Sequence, residues 1–102
     1  MLIVLTTTPT DSEADILAAM IVDARLAACV QILPQIKSVY IWEGKHQWGS
    51  EHILMIKTLP EKFDELVAFI TANHSYKVPE IVAISADKVS EPYLDWMQGV
   101  MS

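Results

Sequence analysis

His52-Ile53-Leu54-Met55-Ile56-Lys57-Thr58 is the stretch whose reading decides the fold. Side chains alternate in direction along a strand, so Leu54 and Ile56 point one way and Ile53 and Met55 the other. Both faces are apolar, and both should be covered. An antiparallel strand in a small domain commonly buries one face and leaves the other to water. The two helices of one small domain cover only one face of such a sheet. The second face needs another subunit, so the sequence predicts an oligomer.

Upstream, Ile36 to Trp42 is rich in β-branched and aromatic residues, as strands are. Glu43-Gly44-Lys45 follows as a hairpin turn, which makes 52–58 its returning strand. Cys29 to Leu33 alternates partly and reads as strand, with Pro34 expected to break the ladder. At the start of the chain, Leu2 to Leu5 is a continuous apolar run, the mark of a central strand closed by Thr6-Thr7-Thr8-Pro9. Thr10 to Glu13 matches a capping box, and Asp11, Glu13 and Asp15 suit the positive end of a helix dipole. Ile16, Leu17, Met20, Ile21, Ala24, Ala27 and Ala28 recur at helical spacing, which predicts a helix from about Asp11 to Leu26. Downstream, Pro60 suits a first helical position, and Phe63, Leu66, Val67 and Ile70 form the stripe of a second helix. His74 to Pro79 reads as a loop and Ile81 to Ile84 as a last strand. Ser90 then caps a short helix containing Tyr93, Leu94, Trp96 and Met97. The order is β-α-β-β-α-β plus a terminal helix, an α+β split βαβ arrangement in a single domain over 1–102.

The chain has 102 residues, and 52% of them are hydrophobic, a high share for a domain with so much surface to cover. Its net charge of −6 argues against non-specific binding to nucleic acid and against docking on anionic membranes. Cys29 is the one cysteine, so no disulfide forms within the chain, which fits a reducing compartment and a cytoplasmic location. The first residues lack a basic segment and a long apolar core, so no signal peptide is read there, and no run is long enough to span a bilayer.

Thr6-Thr7, Arg25-Leu26-Ala27-Ala28-Cys29-Val30, Ser38 to Lys45, Lys57-Thr58, His74 to Ile81 and Tyr93-Leu94-Asp95-Trp96 occur in the order found in one family. Together they resemble the CutA family of divalent-cation tolerance proteins, from Leu2 to Trp96. The resemblance implies a ferredoxin-like sandwich in a tight PII-like homotrimer, with long central strands that cross subunit boundaries. It implies a link to divalent metals, copper in particular, and no enzymatic reaction or organic cofactor. The chain departs from the family in two places. Where the family loop usually reads His-Pro-Tyr-Glu, this chain has His74-Ser75-Tyr76-Lys77. The usually acidic second half of the long hairpin reads His46-Gln47-Trp48-Gly49-Ser50.

By this resemblance Cys29 and His74 are the candidate copper ligands, since thiolate and imidazole suit copper and zinc. The plainer reading of Cys29 is a small buried hydrophobe, and that of His74 a capping or packing residue. His46 and His52 are further candidate ligands, or simply two exposed strand histidines. Trp42, Glu51, Lys57, Tyr76 and Glu80 are candidates for a polar pocket between subunits. Lys57 lies in an apolar strand, where an unpaired ammonium is costly, so Glu51 or Glu80 is expected as its partner. That pair would equally serve as a buried structural contact. Trp42, Tyr93 and Trp96 suit a core or interface as well as a stacked ligand.

Four functions compete. One is a metal-binding trimer, and another is a PII-like signalling trimer that holds a small effector between subunits. A third is a scaffold that presents loops to a protein partner. The fourth, a hydrolase of acylphosphatase type, fits least. Arg25 lies late in the first helix, the early loop lacks glycine, and no nucleophile constellation is legible.

Overall fold

The computed structural model describes residues 1–102. Its elements are β1 (Leu2–Thr8), α1 (Asp11–Asp23), β2 (Cys29–Trp42), β3 (Lys45–Thr58), a 3₁₀ turn (Pro60–Lys62), α2 (Phe63–Asn73), β4 (Val82–Ser85) and α3 (Glu91–Met101). The strands form one sheet in the order β2-β3-β1-β4, with every neighbouring pair antiparallel. With α1 and α2 as the crossover helices, this is the ferredoxin-like layout expected from the sequence.

Thr10 caps α1, its hydroxyl accepting from the Glu13 N–H at 3.2 Å. The helix buries Ala14, Leu17, Ala18 and Ile21. Ile16, which shares the apolar periodicity, faces solvent at 61% exposure. The helix ends at Asp23, short of the predicted Leu26, because Arg25 turns left-handed at φ 58°. The Arg25 N–H bonds to Val22 O and the Leu26 N–H to Ile21 O. That is the Schellman ending, usually built on glycine. An arginine there removes the sequence signal for the stop. From α2, Leu66 and Ile70 join the same core, which contains Val4, Leu54 and Ile56, all fully buried.

The opposite face of the sheet is largely bare. In-register pairing aligns Ile3 with Ile84 and Lys57, and Leu5 with Val82 and Met55. Val82 is 48% exposed and Ile84 50%. Only one end of this face is covered. There α3 brings Met97 and Met101 against Leu59, with Met1, Ala28 and Tyr93 packed around them.

β2 and β3 are longer than the sheet they belong to. Their pairing runs from Cys29–Lys57 to Trp42–Lys45, whereas β1 pairs with β3 only from His52 to Thr58. The predicted returning strand, 52–58, is therefore the second half of β3, which begins at Lys45. Beyond it the hairpin is a two-stranded arm that projects roughly 20 Å. Glu43 and Gly44 form its tip with φ 53° and 77°, the paired positive values of a tight two-residue hairpin turn. Pro34 does not end the strand as expected. The register slips between Leu33 and Ile36, with Gln35 at φ 45°, and β2 continues through the irregularity. β2 is an edge strand, so the missing proline N–H costs no internal ladder bond.

Two outcomes test this packing. Leu54→Ala should cost about 2–5 kcal/mol in urea unfolding, with exposed Glu65→Ala as the near-neutral control. Equal losses would contradict the core assignment. Gly44→Ala should cost roughly 1–2 kcal/mol from its left-handed backbone alone, since no atom lies within 4 Å of the added carbon.

Candidate functional site

The loop after α2 folds back against the place where the arm leaves the sheet. His74, at the C-cap of α2, anchors it. Its side chain is fully buried. Nδ1 accepts from the Tyr76 N–H at 2.9 Å, so Nε2 carries the proton and donates to Thr7 O at 2.7 Å. The Glu13 carboxylate accepts from the Ser75 hydroxyl at 2.9 Å and from the Ser75 N–H at 3.3 Å. The α1 start and the loop are thereby tied together. Glu13 serves this tie rather than closing the capping box on Thr10.

Between loop and arm lies an open cleft of about 590 Å³. Tyr40, Trp42, Gln47 and Glu51 come from the arm, Thr7 from β1, and Ser75, Tyr76, Lys77, Val78 and Glu80 from the loop. Tyr76 donates its phenol proton to Glu51 Oε2 at 2.9 Å. Burial works against the Glu51 charge, but the hydroxyls of Ser38, Tyr76 and Thr7 outweigh it and hold the carboxyl below its ordinary value. Burial, and then the Glu51 bond, push the Tyr76 phenol well above its ordinary value. The pair is thus a phenol donor fixed on an ionised carboxylate.

Of the five residues read as a polar pocket, Trp42, Glu51, Tyr76 and Glu80 line this cleft. Lys57 does not. It sits six residues along β3 from Glu51, roughly 20 Å away by strand rise. Neither Glu51 nor Glu80 pairs with it; its Nζ lies 5.5 Å from the Tyr93 ring centroid. An aromatic face attracts an ammonium and takes the place of the expected carboxylate.

The candidate metal ligands are dispersed. Cys29 is half-buried and pairs with Lys57, whereas His74 bonds to Thr7, which pairs with Ile53. They sit at different ends of the sheet, and both His74 nitrogens are already engaged. His46 is near the arm tip opposite Ile41, and His52 lies beside Thr8, roughly 20 Å along β3. His52 is buried rather than exposed, its Nδ1 without a hydrogen bond and 3.9 Å from Asp11 Oδ1. No group of three or more His, Cys, Asp or Glu side chains is placed to hold a metal ion.

Sequence reading missed Tyr40, Gln47, Thr7 and Ser38 as site residues. Tyr40 and Trp42 are two apart on a strand and so share a face, which was the available signal. Nothing local marks Ser38 or Thr7 as partners of Glu51, because tertiary folding alone brings them together.

The sequence matches the family described as CutA1 divalent ion tolerance protein over residues 2–100. It is 43% identical over 97 residues to the chloroplastic protein CutA of Arabidopsis thaliana, covering 95% of this chain and 53% of that one. The chain thus spans about half the length of the plant relative. It is 40% identical to the divalent-cation tolerance protein CutA of Thermus thermophilus, covering 94% of this chain and 93% of that one. Among solved structures, the T. thermophilus divalent cation tolerance protein superposes with a TM-score of 0.92 at 40% identity, over 95% of each chain. The periplasmic divalent cation tolerance protein CutA of Archaeoglobus fulgidus does so with a TM-score of 0.96 at 36% identity, over 100% of each chain. From Leu2 to Val100, in sequence and in fold, the chain belongs to the CutA1 divalent ion tolerance protein family.

Proposed function

We propose that the chain serves divalent-cation tolerance as a homotrimer that binds copper or a similar divalent cation and catalyses no reaction. The observation that carries the assembly is the bare apolar sheet face, with Val82 and Ile84 about half exposed beside Ile3, Leu5, Ile53 and Met55. A projecting two-stranded arm is marginal on its own, which also favours support from a neighbour. The names of the relatives, the acidic balance of the chain and the ionised Glu51 support a cationic ligand. Within one chain, Glu51 and Glu80 are the carboxylates at the cleft. A site using Cys29 would draw its other ligands from a second subunit. The single free cysteine suits a reducing cytoplasm.

One observation favours a second reading, a PII-like signalling trimer with a small effector in the cleft. The cleft volume falls in the range of organic-ligand sites and far exceeds what a bare ion fills.

Native mass spectrometry during a copper(II) titration separates these readings. A trimer with saturable uptake, lost in Cys29→Ser or Glu51→Gln, supports the cation reading. A trimer without specific uptake favours the effector, and a monomer overturns the assembly. His74→Ala leaves Thr7 O and the Tyr76 N–H without partners and should cost about 1–3 kcal/mol with or without metal.

The pH dependence has a definite sign. Glu51 titrates lower in the fold than unfolded, so its stabilisation is present above the unfolded value and fades as pH falls through the folded one. Glu51→Gln should therefore destabilise at neutral pH, and its unfolding midpoint should converge on the parent's as the solution is acidified below about pH 4. A gap that persists in acid would show that shape, not charge, carries the effect.

A further inference from the structure

We propose that a transition-metal dication binds beneath the start of α1, held by His52 Nδ1 and Asp11 Oδ1. This rests on the cation reading above and gives the ion a place within one chain. His52 shares a side of β3 with Leu54 and Ile56, the side that α1 and α2 cover. It therefore lies across the sheet from the cleft and from the bare face. The residue is 8% exposed, and its Nδ1 is sealed from solvent without a hydrogen bond. The polar groups around it are committed elsewhere. Thr8, its partner on β1, donates its hydroxyl proton to Thr10 O at 3.1 Å, and the Thr10 hydroxyl accepts from the Glu13 N–H. On β2 the register slips from Leu33–Ile53 to Ile36–Glu51, which leaves His52 without a matched residue. Such bulges often re-aim a side chain beside a site. The charge that faces the imidazole is the Asp11 carboxylate, 3.9 Å from Nδ1.

A buried nitrogen without a partner is costly, and 3.9 Å is too long for Asp11 to supply a hydrogen bond. An ion between the two groups satisfies both. Imidazole suits zinc, copper and nickel, and metal bonds of about 2.0–2.2 Å set two donors of one ion roughly 3–3.4 Å apart. The Asp11 side chain is 73% exposed, so its rotation closes the remaining gap and gives the ion a way in. The positive end of α1 opposes a cation there, and the carboxylates of Asp11 and Glu13 in its first turn offset that field. Two protein donors leave the other positions to water, in keeping with the lack of any three-residue cluster. Such an open site suits capture and release of an ion rather than a structural centre.

The test uses the tag-free full chain in its native assembly and zinc chloride as probe, with magnesium chloride as the hard-ion counterpart. Isothermal titration calorimetry measures uptake, and nitrogen-15 NMR of the imidazoles reports which ring is ligated. The chain has three histidines, so the assignment is direct. Saturable uptake of about one zinc per chain is expected, at least about tenfold tighter than magnesium, with the shift on His52 Nδ1. His52→Gln should abolish it, and Asp11→Asn should weaken it roughly tenfold. Asp11→Asn, at an exposed position, keeps the test sound if His52→Gln folds poorly. Equal binding of magnesium, a zinc shift confined to His46 or His74, or uptake indifferent to Asp11→Asn overturns the proposal. Uptake that survives both variants but is lost in Cys29→Ser or Glu51→Gln sinks this site and leaves the cation reading standing. No saturable uptake of zinc or copper sinks both. Uptake through His52 by a monomer upholds the site and removes the trimer.

Discussion

The structure turns on β3, a strand apolar on both faces in a chain with only enough helix to cover one. Leu54 and Ile56 go under α1 and α2 and are fully buried. Ile53 and Met55, on the other side of the same strand, stay partly open. The short α3 reaches only the Lys57 end, where Tyr93 meets the ammonium. Burying apolar surface stabilises by about 25 cal/mol per Å², so a sheet face left this bare retains a strong drive to associate. The arm adds to that drive, since Val39, Tyr40, Ile41, Trp42 and Trp48 are all exposed along it.

The element order was legible in the sequence because the strong signals were local. Thr10 caps α1 where a hydroxyl was needed, and Glu43-Gly44 turns where glycine allows positive φ. The errors share a cause, which is tertiary context overriding a local rule. Arg25 takes a left-handed conformation normally left to glycine, and its Nη1 donates to Val100 O at 2.8 Å, linking α1's end to α3. A proline predicts a stop at Pro34, but an edge strand tolerates it. Lys57, a cation among apolar side chains, does need a partner, and the Tyr93 ring supplies it in place of a carboxylate.

The cleft was legible in part. Glu51, Tyr76, Glu80 and Trp42 were picked out as polar or aromatic residues of a recognisable pattern, and they share one wall system. Donor chemistry points to Cys29 and His74 as candidate metal ligands, but chemistry alone says nothing of distance. Folding places Cys29 and His74 at different ends of the sheet. It also turns His74 into a structural tie, with one ring nitrogen accepting from the Tyr76 N–H and the other donating to Thr7 O. Loop position, phenol orientation and the charge on Glu51 are thus coupled through one imidazole.

The kink at Pro34 and Gln35 also shapes what the sheet's edges offer to another strand. A sheet's open edges are templates on which further strands can add without limit. Here one edge is β4, four residues long, and the other is β2, interrupted by a proline and a register slip. Neither offers a long, flat row of unpaired backbone groups. An association of copies would then favour the broad side of the sheet over its rims. The irregularity in the longest hairpin thus works against edge-to-edge growth into fibres.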